Sequence, residues 1–242
     1  MKKINLLLSM VIRDEADGFL RDCLQSAKKY ADFILIIDDA STDETVKICQ
    51  EILADFPHKI IVNEVSLFAN ETVLRSLQWK ESLKLNPEWI LILDADQIFE
   101  DRVVGQMNKL LETDKDAIYF HEYDFWNESE YREDELWRAH LNWRLFIVRN
   151  KREESYSFRN MAQHCGSFPT QAYHYSYHLS DLRVKHFGWS REVDRKRKFK
   201  RYMKLDPDGK FGIMAQYLSI LDEEPNLIKF EENSKYEKNT CR

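Results

Sequence analysis

Apolar residues enter this chain in two alternating rhythms, short unbroken runs and sets spaced three or four apart. The run from Ile4 to Ile12 ends abruptly at Arg13-Asp14-Glu15 and predicts a first buried strand. Between residues 15 and 30, Phe19, Leu20, Cys23, Leu24 and Ala27 share one helical face. "FILIID" (33–38) predicts a second strand. Ser41, with Glu44 three residues on, predicts a boxed helix start. Val46, Cys49, Ile52, Leu53 and Phe56 form that helix's inner face, and Pro57 follows its end. "KIIVNEV" (59–65) predicts a third strand, and residues 70–86 a helix capped by Asn70 and stopped by Asn86-Pro87. "WILILDADQIFE" (89–100) then drives a fourth apolar run into two carboxylates, Asp94 and Asp96.

Four strands alternating with three helices predict an α/β fold: a mostly parallel, Rossmann-like sheet with helices on both faces. Strands covered on both sides explain the unbroken apolar runs. Sheets of this kind bind ligands at the carboxyl ends of their strands. Polar clusters stand at those ends: Arg13-Asp14-Glu15, Asp38-Asp39, and Asp94 with Asp96. Two like charges beside a core repel unless water or a cation separates them. On extended backbone Asp94 and Asp96 would point the same way and could share Mn²⁺ or Mg²⁺, ions that also take oxygens from a diphosphate.

Past Asp116 the rhythm changes. "AIYFHEYDFW" and "WRLFIVRN" predict strands flanking an acidic loop, 127–135. An irregular aromatic and His-rich stretch, 158–189, precedes a basic helix near 192–205 and a last helix around 211–221. Repeats and Gly/Ser linkers are absent, which predicts one domain over 1–242: a nucleotide-binding half (1–115) and an acceptor-binding half with the C-terminal helices (116–242).

Composition narrows the picture. Hydrophobic residues at 43% and charged residues at 32% fit a soluble globular chain. The net charge of −6 argues against nucleic acid as partner. Cys23, Cys49, Cys165 and Cys241 are scattered and read as reduced thiols of a cytoplasmic protein. The opening "MKKINLLLSMVIRDE" imitates a secretory leader, but its apolar run is short and no small-residue cleavage site follows.

"SMVIRDEADGFLRDCLQS", "IIDDASTDETVKIC" and "WILILDADQ", in that order and spacing, resemble the markers of family 2 glycosyltransferases of the GT-A fold. "NWRLFIVR" and "VKHFGW" look like segments of the branch that decorates bacterial cell-surface glycans. The resemblance implies a UDP- or dTDP-sugar donor, Mn²⁺ or Mg²⁺, inverting chemistry, and a cell-envelope, spore-surface or lipid-linked glycan acceptor. It also implies a role for each matching residue. Asp39 would accept a hydrogen bond from the base beside Asp38, Val11 to Arg13 would line base and ribose, Asp94 would approach ribose or metal, and Asp96 would ligate the metal. Asp14 departs from the Asn usual there. The base that deprotonates the acceptor is sought in Asp134 or Glu135, with His140 as rival. A late histidine, His186 before His164, would complete the metal site. Arg144 and the basic segment 191–204 would meet the donor phosphates, or 191–204 an anionic membrane. Two rivals are a sugar nucleotidyltransferase, whose Gly-rich phosphate loop is missing here, and a catalytically inactive nucleotide- or sugar-binding domain.

Overall fold

The first, second and fourth apolar runs pair at the centre of the sheet and bury both faces, while the third forms its half-covered edge. In the computed structural model, which describes residues 3–151, 155–159, 165–210 and 212–232, the order begins β1 (Leu6–Ile12), α1 (Leu20–Ala27), β2 (Phe33–Asp38), α2 (Thr45–Leu53). It continues β3 (His58–Val62), α3 (Glu71–Lys84), β4 (Trp89–Ile92), β5 (Gln97–Phe99), α4 (Val103–Leu110) and β6 (Ala117–Asp124). The remainder is β7 (Glu130–Arg132), β8 (Trp143–Arg149), β9 (Tyr177–His186), α5 (Glu192–Leu205), α6 (Met214–Ser219) and β10 (Leu227–Lys229).

Eight strands form one mixed sheet in the order β3-β2-β1-β4-β8-β6-β9-β5. The β1, β2, β3 and β4 pairings are parallel, as is β6 with β9, whereas β8 runs antiparallel to both its neighbours. Successive residues of β1 serve opposite layers. Leu6, Leu8 and Met10 join α1, α2 and α4 in the largest apolar cluster, while Leu7 meets Leu74 of α3 on the other face. Each such side chain, fully withdrawn from water, contributes roughly 1.5–3 kcal/mol. The expected α/β sheet with helices on both faces is what the structure contains.

Local departures have local causes. The second helix starts at Thr45 rather than Ser41, because the Ser41 hydroxyl is spent on Asp38 and on the Asp14 amide. The first helix starts at Leu20 rather than near Glu15, since the Glu15 and Ala16 amides donate across to Thr45 and Asp43. The Asn70 cap holds, its side chain accepting from the Val73 amide. The stretch expected to be irregular contains β9, at ten residues the longest strand. Its polarity hides a buried ion pair: Arg183 donates to Glu100 at 2.6 Å, and the two are 4% and 0% exposed. The last helix is shorter than expected, Met214–Ser219, with Phe211 outside the described residues. Cys23, Cys49 and Cys165 are free and buried, and Cys241 lies outside the described residues.

Candidate active site

The loops after β1 and β2 are stapled together. Asp14 sits at φ 52°, a left-handed conformation that short polar side chains tolerate best. From there its carboxylate takes the Thr42 amide at 2.7 Å, while its own amide donates to Ser41. Ala40, without such help, also holds a positive φ of 60°, a strain that the surrounding bonds enforce. Asp38 is fully buried and caps Ser41 through amide and hydroxyl. Asp39 is equally buried and holds the loop after β3, accepting from Asn63 (2.9 Å), Ser66 (2.7 Å) and the Leu67 amide (2.8 Å). Burial works against the Asp39 charge, but these donors outweigh it and hold the carboxyl below its ordinary value. Arg13 reaches over the same loop to Ser66, and half-buried Val11 packs beneath.

Beyond β4 the picture differs. The chain turns at Ala95 and Asp96, with the Gln97 amide donating to the Asp94 carbonyl at 3.1 Å. The turn breaks the alternation expected of extended backbone, so the two aspartates face different walls. Asp94 is half exposed and leans toward Arg75 of α3, 3.5 Å away. Asp96 faces β9 and α5, with His186 Nε2 at 3.5 Å and Lys198 Nζ at 3.8 Å. Sheet register explains the histidine: His186 ends β9 beside Gln97 of β5 on one flank and Asp124 of β6 on the other. Asp124 engages Nδ1 at 2.7 Å, leaving Nε2 aimed at Asp96.

Charge in this corner is concentrated. Burial opposes a charged imidazole, yet Asp96, Asp124 and Glu122 hold the His186 pKa well above its ordinary value. Burial likewise opposes ionised Asp96, but His186 and Lys198 keep it well below the usual carboxylate range. Glu15 is pushed up to about 7, by burial first and then by Asp96 and Asp94, with Lys198 opposing. Sequence reasoning noted Glu15 only as part of a polar cluster and did not single out Lys198.

The other expected residues lie elsewhere. Arg144 pairs with fully buried Glu122, which also receives Gln97; the Asp94 amide in turn donates to Gln97. Arg144 therefore braces the aspartate turn from outside. Both Asp134 oxygens are occupied, one by Arg132 at 2.6 Å and one by the Leu136 and Trp137 amides, and these lower its pKa against the effect of burial. His140 is buried, stacks on Tyr123 at 5.1 Å and contacts Glu133 at 2.8 Å; burial lowers its pKa. Glu135 is exposed, and among the described residues its carboxylate has no hydrogen-bond partner. His164 falls outside the described residues.

Among the described residues no group of three or more His, Cys, Asp or Glu converges on one metal position. A smaller donor set does converge. A Cβ at Gly188 would collide at once with Asp96 Oδ2, His186 Nε2 and Lys198 Nζ, so the bare glycine keeps open a space lined by all three. An oxygen and an imidazole backed by a carboxylate suit Mn²⁺ better than Mg²⁺, provided His186 gives up its Nε2 proton as the ion binds and the remaining ligands come from substrate and water. The residues fit a divalent ion on those terms.

A family model described as Glycosyl transferase family 2 matches residues 10–175, more than half of the 242 residues. Uncharacterized protein Rv3786c of Mycobacterium tuberculosis is 24% identical over 237 residues, covering 87% of this chain and 53% of its own. The chain thus spans about half the length of the curated relatives it matches. Staphylococcus aureus TarS superposes with a TM-score of 0.57 at 15% identity, over 90% of this chain and 42% of TarS. The mannosyltransferase PcManGT from Pyrobaculum calidifontis, in complex with GDP-Man and Mn²⁺, gives 0.52 at 12% identity, over 91% of this chain and 70% of that one. These structural likenesses show the shared GT-A fold. The chain belongs to glycosyl transferase family 2.

Proposed function

We propose that this glycosyltransferase is metal-dependent and inverting, and moves a sugar from a UDP- or dTDP-sugar to a bacterial cell-envelope or spore-surface glycan. The observation that carries the reading is the convergence of Asp96, His186 and Lys198 on the space under Gly188. It lies at the carboxyl edge of the sheet, where open α/β folds take nucleotides. TarS has been crystallised with UDP-GlcNAc, and PcManGT with GDP-Man and Mn²⁺, which supports a nucleotide-sugar and a divalent ion.

On this reading the stapled loops after β1 and β2 form the nucleoside wall. Arg13 and Val11 line it, while buried Asp38 and Asp39 set the loop shapes. Asp96 and His186 would hold the ion, with Asp124 orienting the imidazole. The ion, when bound, neutralises charge on the departing nucleoside diphosphate. Asp94, paired with Arg75, would serve the ribose side. As the acceptor hydroxyl bonds to the anomeric carbon, the bond from that carbon to the phosphate oxygen breaks and the hydroxyl proton passes to a base. Of the three candidates, Glu135 is the one whose carboxylate is open to take it. Val193, Lys196, Arg197, Lys200, Arg201 and Lys204 form the exposed face of α5, suited to an anionic, lipid-linked acceptor at a membrane surface. No helix of the described residues is long and apolar enough to cross a membrane.

Calorimetry with UDP, dTDP, GDP and CDP, each with and without Mn²⁺, tests the reading. One of them should bind at least about tenfold tighter with metal. If none does, the assignment of Asp96 and His186 fails.

A further inference from the structure

Helix α5 and its cap Arg191 carry eight Lys/Arg over residues 191–204, and four of these are tied to neighbouring groups. Arg191 and Arg197 pair with Asp194, and Lys196 with Glu192. Arg195 donates to the carbonyls of Trp126, Trp189 and Ser190. Lys198 alone among them extends into the aspartate corner. Its ammonium lies 4.4 Å from the centroid of the Trp189 ring and 3.8 Å from Asp96 Oδ2, with the side chain 21% exposed.

That position coincides with the space a metal ion would need. The same missing Cβ at Gly188 that would strike Asp96 and His186 would strike Lys198 Nζ. An ammonium and a divalent cation cannot share so small a volume, because at equal separation they repel about twice as strongly as Asp96 attracts the ammonium. A lysine on a flexible four-carbon stem can move where a backbone group cannot. An incoming diphosphate would offer it new oxygens close by.

We propose, building on the nucleotide-site reading above, that Lys198 is a movable counter-ion. Its ammonium covers Asp96 while the site holds no nucleotide and transfers to the diphosphate when donor binds, so that the divalent ion enters strongly only together with a nucleoside diphosphate. Lys198 is then a diphosphate-binding residue and also a cause of coupling between metal and nucleotide. The cost of displacing the ammonium falls on metal binding in the nucleotide-free protein, and the diphosphate offsets it. Reciprocity requires that metal strengthen nucleotide binding by the same factor by which nucleotide strengthens metal binding.

The experiment is calorimetric titration of Mn²⁺ alone, UDP alone, and UDP in the presence of Mn²⁺, into the unaltered chain, Lys198→Met and Lys198→Arg. Without nucleotide, Lys198→Met should bind Mn²⁺ about tenfold tighter than the unaltered chain, since a neighbouring unit charge is removed. With Mn²⁺ present, the same variant should bind UDP about tenfold more weakly, and its metal–nucleotide coupling should shrink toward one. Lys198→Arg keeps the charge and should restore both. Thermal melting of all three confirms folding, and Lys198→Gln replaces Lys198→Met if the latter fails to fold. Unchanged or weaker Mn²⁺ affinity in Lys198→Met defeats the role of Lys198, whatever the nucleotide does. Unchanged UDP affinity in that variant defeats the transfer to phosphate. Absence of UDP binding by the unaltered chain, with or without metal, defeats the nucleotide-site reading and the transfer with it.

Discussion

Asp39 and Asp96 stand at the ends of neighbouring parts of one sheet, and they are stabilised in opposite ways. Asp39 is satisfied by neutral donors: a side-chain amide, a hydroxyl and a backbone amide, all within 3 Å. Asp96 is balanced by charges, an imidazolium at 3.5 Å and an ammonium at 3.8 Å, neither in close hydrogen-bond contact. Neutral, directional bonds build a fixed wall. Loosely opposed charges leave a place whose occupants can be exchanged. On the proposed reading, the nucleoside edge would be prebuilt, while the diphosphate edge would be held ready by counter-ions.

Substitutions on the two sides should separate stability from binding. Asp96→Ala removes the carboxylate that both cations face and should abolish metal-dependent nucleotide binding, a loss of at least about a hundredfold by calorimetry. Gly188→Ala fills the open space with one methyl group and should weaken the same binding by about tenfold or more, with a fall in melting temperature as Asp96, His186 and Lys198 shift to admit it. Asp39→Ala strands three donors around a buried position and should destabilise the fold by about 2 kcal/mol in denaturant titrations, with metal affinity nearly unchanged. Comparable stability losses in Asp96→Ala and Asp39→Ala would erase the distinction.

A further effect is expected in pH dependence. Glu15 carries a folded pKa of about 7 against an ordinary 4.5, so the folded chain binds its proton more tightly than the unfolded chain. No penalty exists below pH 4.5; stability falls as pH rises from there to about 7, and the full cost persists above. Glu15→Gln should flatten that decline in melting temperature between pH 5 and 7. A variant that keeps the full slope would place its origin elsewhere.

How much of this was legible in the sequence follows from the same contrast. Strands β1 to β4, the Asn70 cap and the acidic sheet edge are local patterns, and they could be read directly. The start of α2 could not, because Ser41 is claimed by Asp38 and Asp14, partners that a capping motif does not reveal. Strand β9 was hidden because its buried Arg183 is neutralised by Glu100, 83 residues earlier. His186 was singled out by its neighbours in sequence, but its support from Asp124 depends on the register of β6 against β9. Lys198 looked like one basic residue among eight, and only the approach of α5 to the aspartate turn distinguishes it. Long-range pairing of charges thus accounts for most of what the pattern of residues did not show.

On the proposed reading, a divalent ion sits between Asp96 and His186 when a nucleoside diphosphate is present. Anomalous X-ray diffraction from crystals grown with UDP and Mn²⁺ tests it most directly. A manganese peak should appear within about 2.3 Å of an Asp96 oxygen and of His186 Nε2, with Lys198 displaced toward phosphate. A peak beside Asp94 and Arg75 instead, or bound UDP with no manganese near Asp96, would contradict it.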